Sequence, residues 1–156
     1  MICKQTRSLR LAAALSATLA LTGAFASTTI ASRGTIASRA VSVDDTGHLH
    51  LLKAFGSVLM EEGSAAGTLP GQAKVRLTVG STVTASFTIQ TKYGTIYGSG
   101  SAALHSSGRY SSFGGSLSVS HGTGSYAHAH GSGKLYGVID RRTSSLTVQT
   151  IGTLSY

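Results

Sequence analysis

The stretch TVTASFTIQT, residues 82–91, sets Val83, Ala85, Phe87 and Ile89 against Thr82, Thr84, Ser86, Thr88 and Gln90 in strict alternation. Successive side chains of a strand point to opposite faces, so one face of this segment is apolar and the other rich in hydroxyls. A strand that buries one face and solvates the other belongs to an antiparallel sheet. The same period runs through 73–79, where Val75, Leu77 and Val79 alternate with Lys74, Arg76 and Thr78. Further strands are expected at about 48–55, 58–69, 94–104, 111–119, 130–139 and 144–155, joined by Gly and Ser turns, and no segment beyond residue 46 carries a helical stripe. A sheet of about eight strands leaves two unpaired edges unless it closes. The expected fold is therefore all-β, a closed antiparallel β-barrel of about eight strands whose interior is filled by side chains or holds one small ligand.

The amino terminus follows another plan. Lys4, Arg7 and Arg10 precede an apolar run from Leu11 to Phe25, and Ala24-Phe25-Ala26 has small residues at both positions a signal peptidase reads. Residues 1–26 thus read as a secretory signal peptide, cleaved after Ala26, which implies a secreted or extracytoplasmic protein. A retained anchor is the alternative, because the run is near the lower limit for a membrane span; the polar chain that follows argues against it. Residues 27–46, with TIASR at 29–33 and again at 35–39, are polar and aperiodic and read as a flexible leader, which leaves 47–156 as the barrel domain. Cys3 is the only cysteine and leaves with the signal, so the mature domain has neither a disulfide nor thiolate chemistry.

Beyond residue 26 there are ten Lys and Arg against five Asp and Glu, and Arg141-Arg142 is the only adjacent basic pair. Scattered charge without an aromatic-rich basic stripe excludes a specific nucleic-acid interface. It fits solubility and weak attachment to an anionic cell-surface polymer. An outer-membrane barrel is disfavoured: Trp is absent, the tyrosines form no girdles, and Lys74 and Arg76 lie within a strand.

HGTGSYAHAHGSGKLYG, residues 121–137, is the densest pattern in the chain. Shifted by sixteen residues, Gly108, Tyr110, Gly115 and Ser116 superpose on Gly124, Tyr126, Gly131 and Ser132. The echo gives Gly and Tyr structural posts. Gly108 and Gly124 are expected to take the positive φ of a tight turn, and Gly115 and Gly131 to allow a bulge or barrel corner. The ten residues from Gly122 to Gly131 fit G-T-G-x-[YF]-x-x-A-x-G, which resembles the signature hairpin of the dirigent and allene oxide cyclase superfamily. Gly152-Thr153-Leu154 resembles the ending of that family, and the tail from Gly131 resembles small secreted bacterial proteins of unassigned function near the same barrel. The resemblance implies an eight-stranded antiparallel barrel. Its members steer phenoxy-radical coupling or the ring closure of a fatty-acid epoxide by the shape of a barrel cavity. Their functional acids have no matching positions here, so no catalytic role is carried over.

For chemistry, the histidines come first. His128 and His130 are expected on one face of a strand together with Tyr126, with Ala127 and Ala129 inward, and His48 and His50 repeat the two-residue spacing. If the strands bring both pairs together, four imidazoles suit Zn²⁺ or Cu²⁺. With no carboxylate near either pair, solvent-facing positions are the simpler reading, and no cofactor is expected. Glu61 and Glu62 are adjacent, so they face opposite ways on a strand. Either both sit at an exposed hairpin, or one enters the barrel, where burial raises its pKa toward general-acid duty. Asp140, before Arg141 and Arg142, reads as a paired turn residue.

GTGSYA at 122–127 satisfies G-x-G-x-x-A but is followed by strand-like alternation rather than a helix, and no phosphate loop or nucleophile elbow occurs. Phe55, Glu61, Phe87, Tyr97 and Phe113 are the cavity candidates, and Tyr93, Tyr110 and Tyr136 are further expected core or cavity residues. Gly108, Gly115, Gly122, Gly124 and Gly131 are the turn and corner candidates. The expected function is a module that binds a small apolar molecule. A cyclase or radical-steering enzyme and a structural or adhesive surface protein without a cavity are the alternatives, and self-association into an oligomer is compatible with all three. Volume inside the barrel separates these readings.

Overall fold

The computed structural model describes residues 38–106 and 108–156. The signal segment and the leader as far as residue 37 lie outside the described residues. Eight strands follow one another: β1 (Ala40–Phe55), β2 (Val58–Gly67), β3 (Gly71–Val79), β4 (Thr82–Thr91), β5 (Gly94–Leu104), β6 (Tyr110–Gly122), β7 (His130–Asp140) and β8 (Ser145–Ser155). All pair antiparallel with their chain neighbours, and β8 returns to pair with β1, so the barrel is closed. A single 3-10 turn, Gly124–Tyr126, interrupts the β6–β7 connection.

β1 begins at Ala40, which corrects the domain boundary at Gly47. Val41, Val43 and Asp45 lie opposite Leu154, Gly152 and Thr150 of β8, so the last part of the supposed leader is half of the strand that closes the barrel. Its outward residues Ser42, Asp44 and Thr46 make it polar in composition. Its period of two is nonetheless that of the other strands.

The two-residue alternation stays in phase around the barrel. Leu49 opposes Gly63, Gly63 opposes Ala73, Ala73 opposes Ile89, and Ile89 opposes Ile96, all on the inner face. The outer face carries Ser86, Ser99, Ser118, Ser132 and Thr153 in one continuous row. A hydroxyl-rich outside around an apolar inside is the inverse of a lipid-facing barrel.

The core has two parts. Leu49, Leu77, Val83, Phe113, Leu135 and Leu146 are buried in the larger cluster. Leu69, Ile96, Tyr126, Ala129 and Leu154 form the second, where the β2–β3 connection and the 3-10 turn close one end of the barrel. The Tyr126 ring meets the Tyr156 ring edge-on with centroids 5.0 Å apart. Hydrophobic burial on this inner face is the main favourable term in folding.

Glycine sets the curvature at two kinds of place. A Cβ on Gly115, which faces inward on β6, would collide with the Ser101 carbonyl oxygen and lie 2.6 Å from the Ala102 Cα. The neighbouring strand passes so close that no side chain fits, as at a barrel corner. Gly124 has φ +61° at the start of the 3-10 turn, with Tyr93 O 2.5 Å from where its Cβ would stand. Gly108 also has a positive φ, +149°, in the β5–β6 connection. Gly131 would meet the Thr153 carbonyl, and Gly122 would meet Tyr126 O at 2.5 Å. Gly115 and Gly131 hold regular ladder positions, and the irregularity in β6 lies instead between the partners of Tyr97 and Gly98.

Gly115→Ala is expected to destabilise the barrel by about 1–3 kcal/mol through overpacking against fixed backbone. Ser116→Ala, one residue along and outward, is expected to stay within about 0.5 kcal/mol. Urea unfolding of the two variants measures the difference; equal midpoints would contradict the corner assignment.

Candidate functional site

Leu77, Leu135 and Leu146 are buried in the barrel waist and border neither of two half-open cavities. The larger cavity, about 270 Å³, lies at the end that carries the β1–β2 and β7–β8 turns. Its wall includes Leu59, Val79, Val83, Phe113 and Ile139, with Glu61 and Arg141 as the ionisable side chains and Ser57, Ser111 and Ser144 as the hydroxyls.

Glu61 keeps the inward phase of Gly63 and Ala65 in β2, and a defect in the ladder lies beside it. Leu51 lies opposite Glu61, but Lys53 lies opposite Met60, so Leu52 is an extra residue in β1. Bulges of this kind occur next to functional sites, where they re-aim side chains. Glu61 points inward and is 3 % exposed, while Glu62 points outward, 3.9 Å from the His50 ring. An exposed pair of that length contributes little. The hairpin-pair alternative for the two glutamates therefore holds only for Glu62.

The Oε2 atom of Glu61 is buried without a hydrogen-bond partner among the described residues. Burial alone pushes its carboxyl from 4.5 up to about 7. No cation offsets the loss of hydration, so the protonated form is favoured up to neutral pH. Nearby in the wall, Arg141 Nε donates to Ser111 Oγ at 2.8 Å, and Ser111 Oγ donates to Gly108 O at 3.4 Å. Arg141 is thereby held by a neutral hydroxyl rather than by a carboxylate. Asp140, next to it, accepts from the Arg142 backbone N–H at 2.9 Å and lies 3.5 Å from Arg109. The Arg142 N–H, assisted by Arg109, holds the Asp140 carboxyl below its ordinary range.

Of the other cavity candidates, Phe113 borders the same space as Glu61, and Phe87 borders the second cavity. Phe55 and Tyr97 are corrected. Phe55 ends β1 at the turn, 55 % exposed, beneath the Lys53 ammonium. Tyr97 shares the outer face with Ser99 and stacks on His121 with centroids 4.7 Å apart. Tyr93, Tyr110 and Tyr136 are also exposed, so most aromatic side chains cover the outside. Tyr110 and Tyr126, equivalent in the sixteen-residue echo, have opposite fates: the first is exposed and the second buried.

The histidines do not converge. His128 lies in the β6–β7 turn, and its carbonyl meets the Nδ1 of His130 at 3.0 Å, so the expected strand face shared with Tyr126 is absent. His130 lies opposite Ser155, and His48 lies opposite Thr147 of the same strand. Eight residues of β8 separate these positions, roughly 27 Å at the rise of a strand. Among the described residues no three His, Cys, Asp or Glu side chains come close enough to hold a metal ion.

Asp45 and the Ser111–Arg141 pair escape a reading by motif. Asp45 is 5 % exposed inside β1, where its carboxylate accepts the Leu69 N–H at 2.8 Å. Burial raises its pKa against the opposing effect of hydrogen bonds from Leu69 and Thr68. The alternation Val41, Val43, Asp45 was the available signal. Ser111 is marked only by its phase with Phe113. No family model matches the chain, and no match is found among curated proteins or solved structures.

The Glu61 proton is bound more tightly by the fold than by the unfolded chain. Stability therefore declines as pH rises from about 4.5 to about 7, by roughly 3 kcal/mol from this group. Glu61→Gln is expected to remove that portion of the decline and to be more stable than the wild type at pH 8. Urea midpoints at pH 5 and pH 8 test this; parallel profiles for the two proteins would refute the buried carboxyl.

Proposed function

We propose that this barrel is a binding module for a small molecule with an apolar body and one hydrogen-bond acceptor, held in the Glu61 cavity. The observation that carries the reading is the unpartnered Oε2 of Glu61 in an apolar cavity of about 270 Å³. A buried polar atom without a partner costs about 1–3 kcal/mol, and a protonated carboxyl there offers an O–H to a carbonyl, ether or hydroxyl oxygen. An apolar cavity of about 150 Å³ already admits benzene. The larger volume here leaves room for a substituted ring. The resemblance to the dirigent and allene oxide cyclase barrels, and secretion through the segment 1–26, agree with a carrier acting outside the cytoplasm. The ten basic residues beyond residue 26 would add weak adhesion to anionic polymer.

A second reading, cyclase-type catalysis, has one observation in its favour. A carboxyl with a pKa near 7 is suited to donate a proton to a strained or developing oxyanion at neutral pH. Arg141 in the same wall supplies a further donor through the guanidinium N–H groups other than the Nε held by Ser111.

Cyclohexanone and methylcyclohexane separate hydrogen bonding from simple apolar filling. At pH 5.5 the wild type is expected to bind the ketone about tenfold or more tightly than the hydrocarbon. Glu61→Leu should abolish the preference, and raising the pH to 8.5 should weaken it. Isothermal titration of both compounds measures the ratio; equal affinities at pH 5.5 would overturn the reading.

A further inference from the structure

The second cavity, about 130 Å³, lies behind Leu69 at the opposite end of the barrel and shares no wall residue with the Glu61 cavity. Val43, Leu49, Phe87, Ile89, Val148 and Leu154 form its apolar surface. Of its acid and hydroxyl residues, Ser132 and Thr153 belong to the outer row, and the two that face inward are already engaged: Asp45 accepts the Leu69 N–H at 2.8 Å, and Thr150 Oγ1 donates to the Asp45 carbonyl at 3.4 Å. Nothing in this wall resembles the unpartnered carboxyl at the other end.

Gly47 makes this space more than a packing defect. It faces the cavity from β1, its φ is not positive, and a Cβ there would meet nothing closer than Leu49 Cδ1 at 3.5 Å. Neither backbone conformation nor crowding requires a glycine. Gly152, in the same wall, differs: its Cβ would strike the Ser132 carbonyl and lie 2.7 Å from the Gly133 Cα. Glycine within a strand weakens it, and an apolar void forfeits contacts. Any small aliphatic residue at position 47 would relieve both penalties.

We propose that the cavity behind Leu69 is a second binding site, separate from Glu61, for a nonpolar molecule the size of a single ring, and that Gly47 keeps it open. An apolar cavity of comparable size, about 150 Å³, stays dry and takes benzene or xenon. The ligand is nonpolar because the inward-facing polar side chains of the wall, Asp45 and Thr150, already have partners. Phe87 supplies an aromatic surface. The two ends of the barrel thus select by different chemistry, one for an acceptor atom and one for shape alone.

Benzene titrated into the mature protein, followed by methyl NMR, is the test. The expected result is saturable shifts at the methyls of Val43, Val148 and Leu154. Gly47→Val should weaken benzene binding about fivefold or more and leave the cyclohexanone response of the Glu61 cavity intact. Gly47→Ala, for which the structure has room, should weaken benzene binding in the same direction and decides the matter if the valine variant does not fold. Shifts confined to Leu59 and Val83, no saturation, or wild-type benzene affinity in Gly47→Ala would overturn the proposal. Cyclohexanone binding that fails while benzene still saturates would sink the Glu61 reading alone.

Discussion

Closure of the sheet depends on backbone approaching backbone where a side chain would otherwise stand. Inside the barrel the carbonyl of Ser101 occupies the place of a Gly115 Cβ, the carbonyl of Ser132 that of Gly152, and the carbonyl of His48 that of Gly63. A flat, fully side-chained sheet of eight strands would not curl so tightly, and its two edges would stay open to pairing with other chains. The packed waist of Leu77, Leu135 and Leu146 is flanked by space at both ends.

The two ends differ in chemistry. At the Leu69 end, the β2–β3 connection and the 3-10 turn bring Leu69 and Tyr126 over the barrel, and Asp45 is used up in holding the Leu69 backbone. At the other end Glu61 points into the cavity with nothing to hold. Two carboxyls, both raised by burial, therefore stand in different relations to a ligand. Asp45 serves the fold, and Glu61 costs it stability at neutral pH. A group retained against its own desolvation is a reasonable place to look for function.

Much of the architecture was legible in the sequence, because a period of two needs no partner to be seen. TVTASFTIQT names its own inner face, and β4 spans the same ten residues. The errors came where meaning depends on a neighbouring strand. Val41 and Val43 were lost in a polar context, since only β8 reveals that Asp45 is interior. Tyr97 is aromatic, but its phase with Ser99 and Ser101 puts it outside. His128 and His130 seemed to share a strand face, but the chain turns there. Glu61 was legible as one of two adjacent carboxyls with opposite directions. Which of them enters the barrel is fixed by the β1–β2 register, a long-range fact that no local pattern encodes.

Whether the interior of this barrel holds a guest is read out by native mass spectrometry of the protein purified from its own cells without added ligand. The expected result is a population heavier than the polypeptide by the mass of one small molecule, lost on collisional activation and depleted in Glu61→Leu. A single bare mass under the gentlest conditions, with the Glu61→Leu variant indistinguishable from wild type, would contradict it and leave a barrel whose cavities serve no ligand.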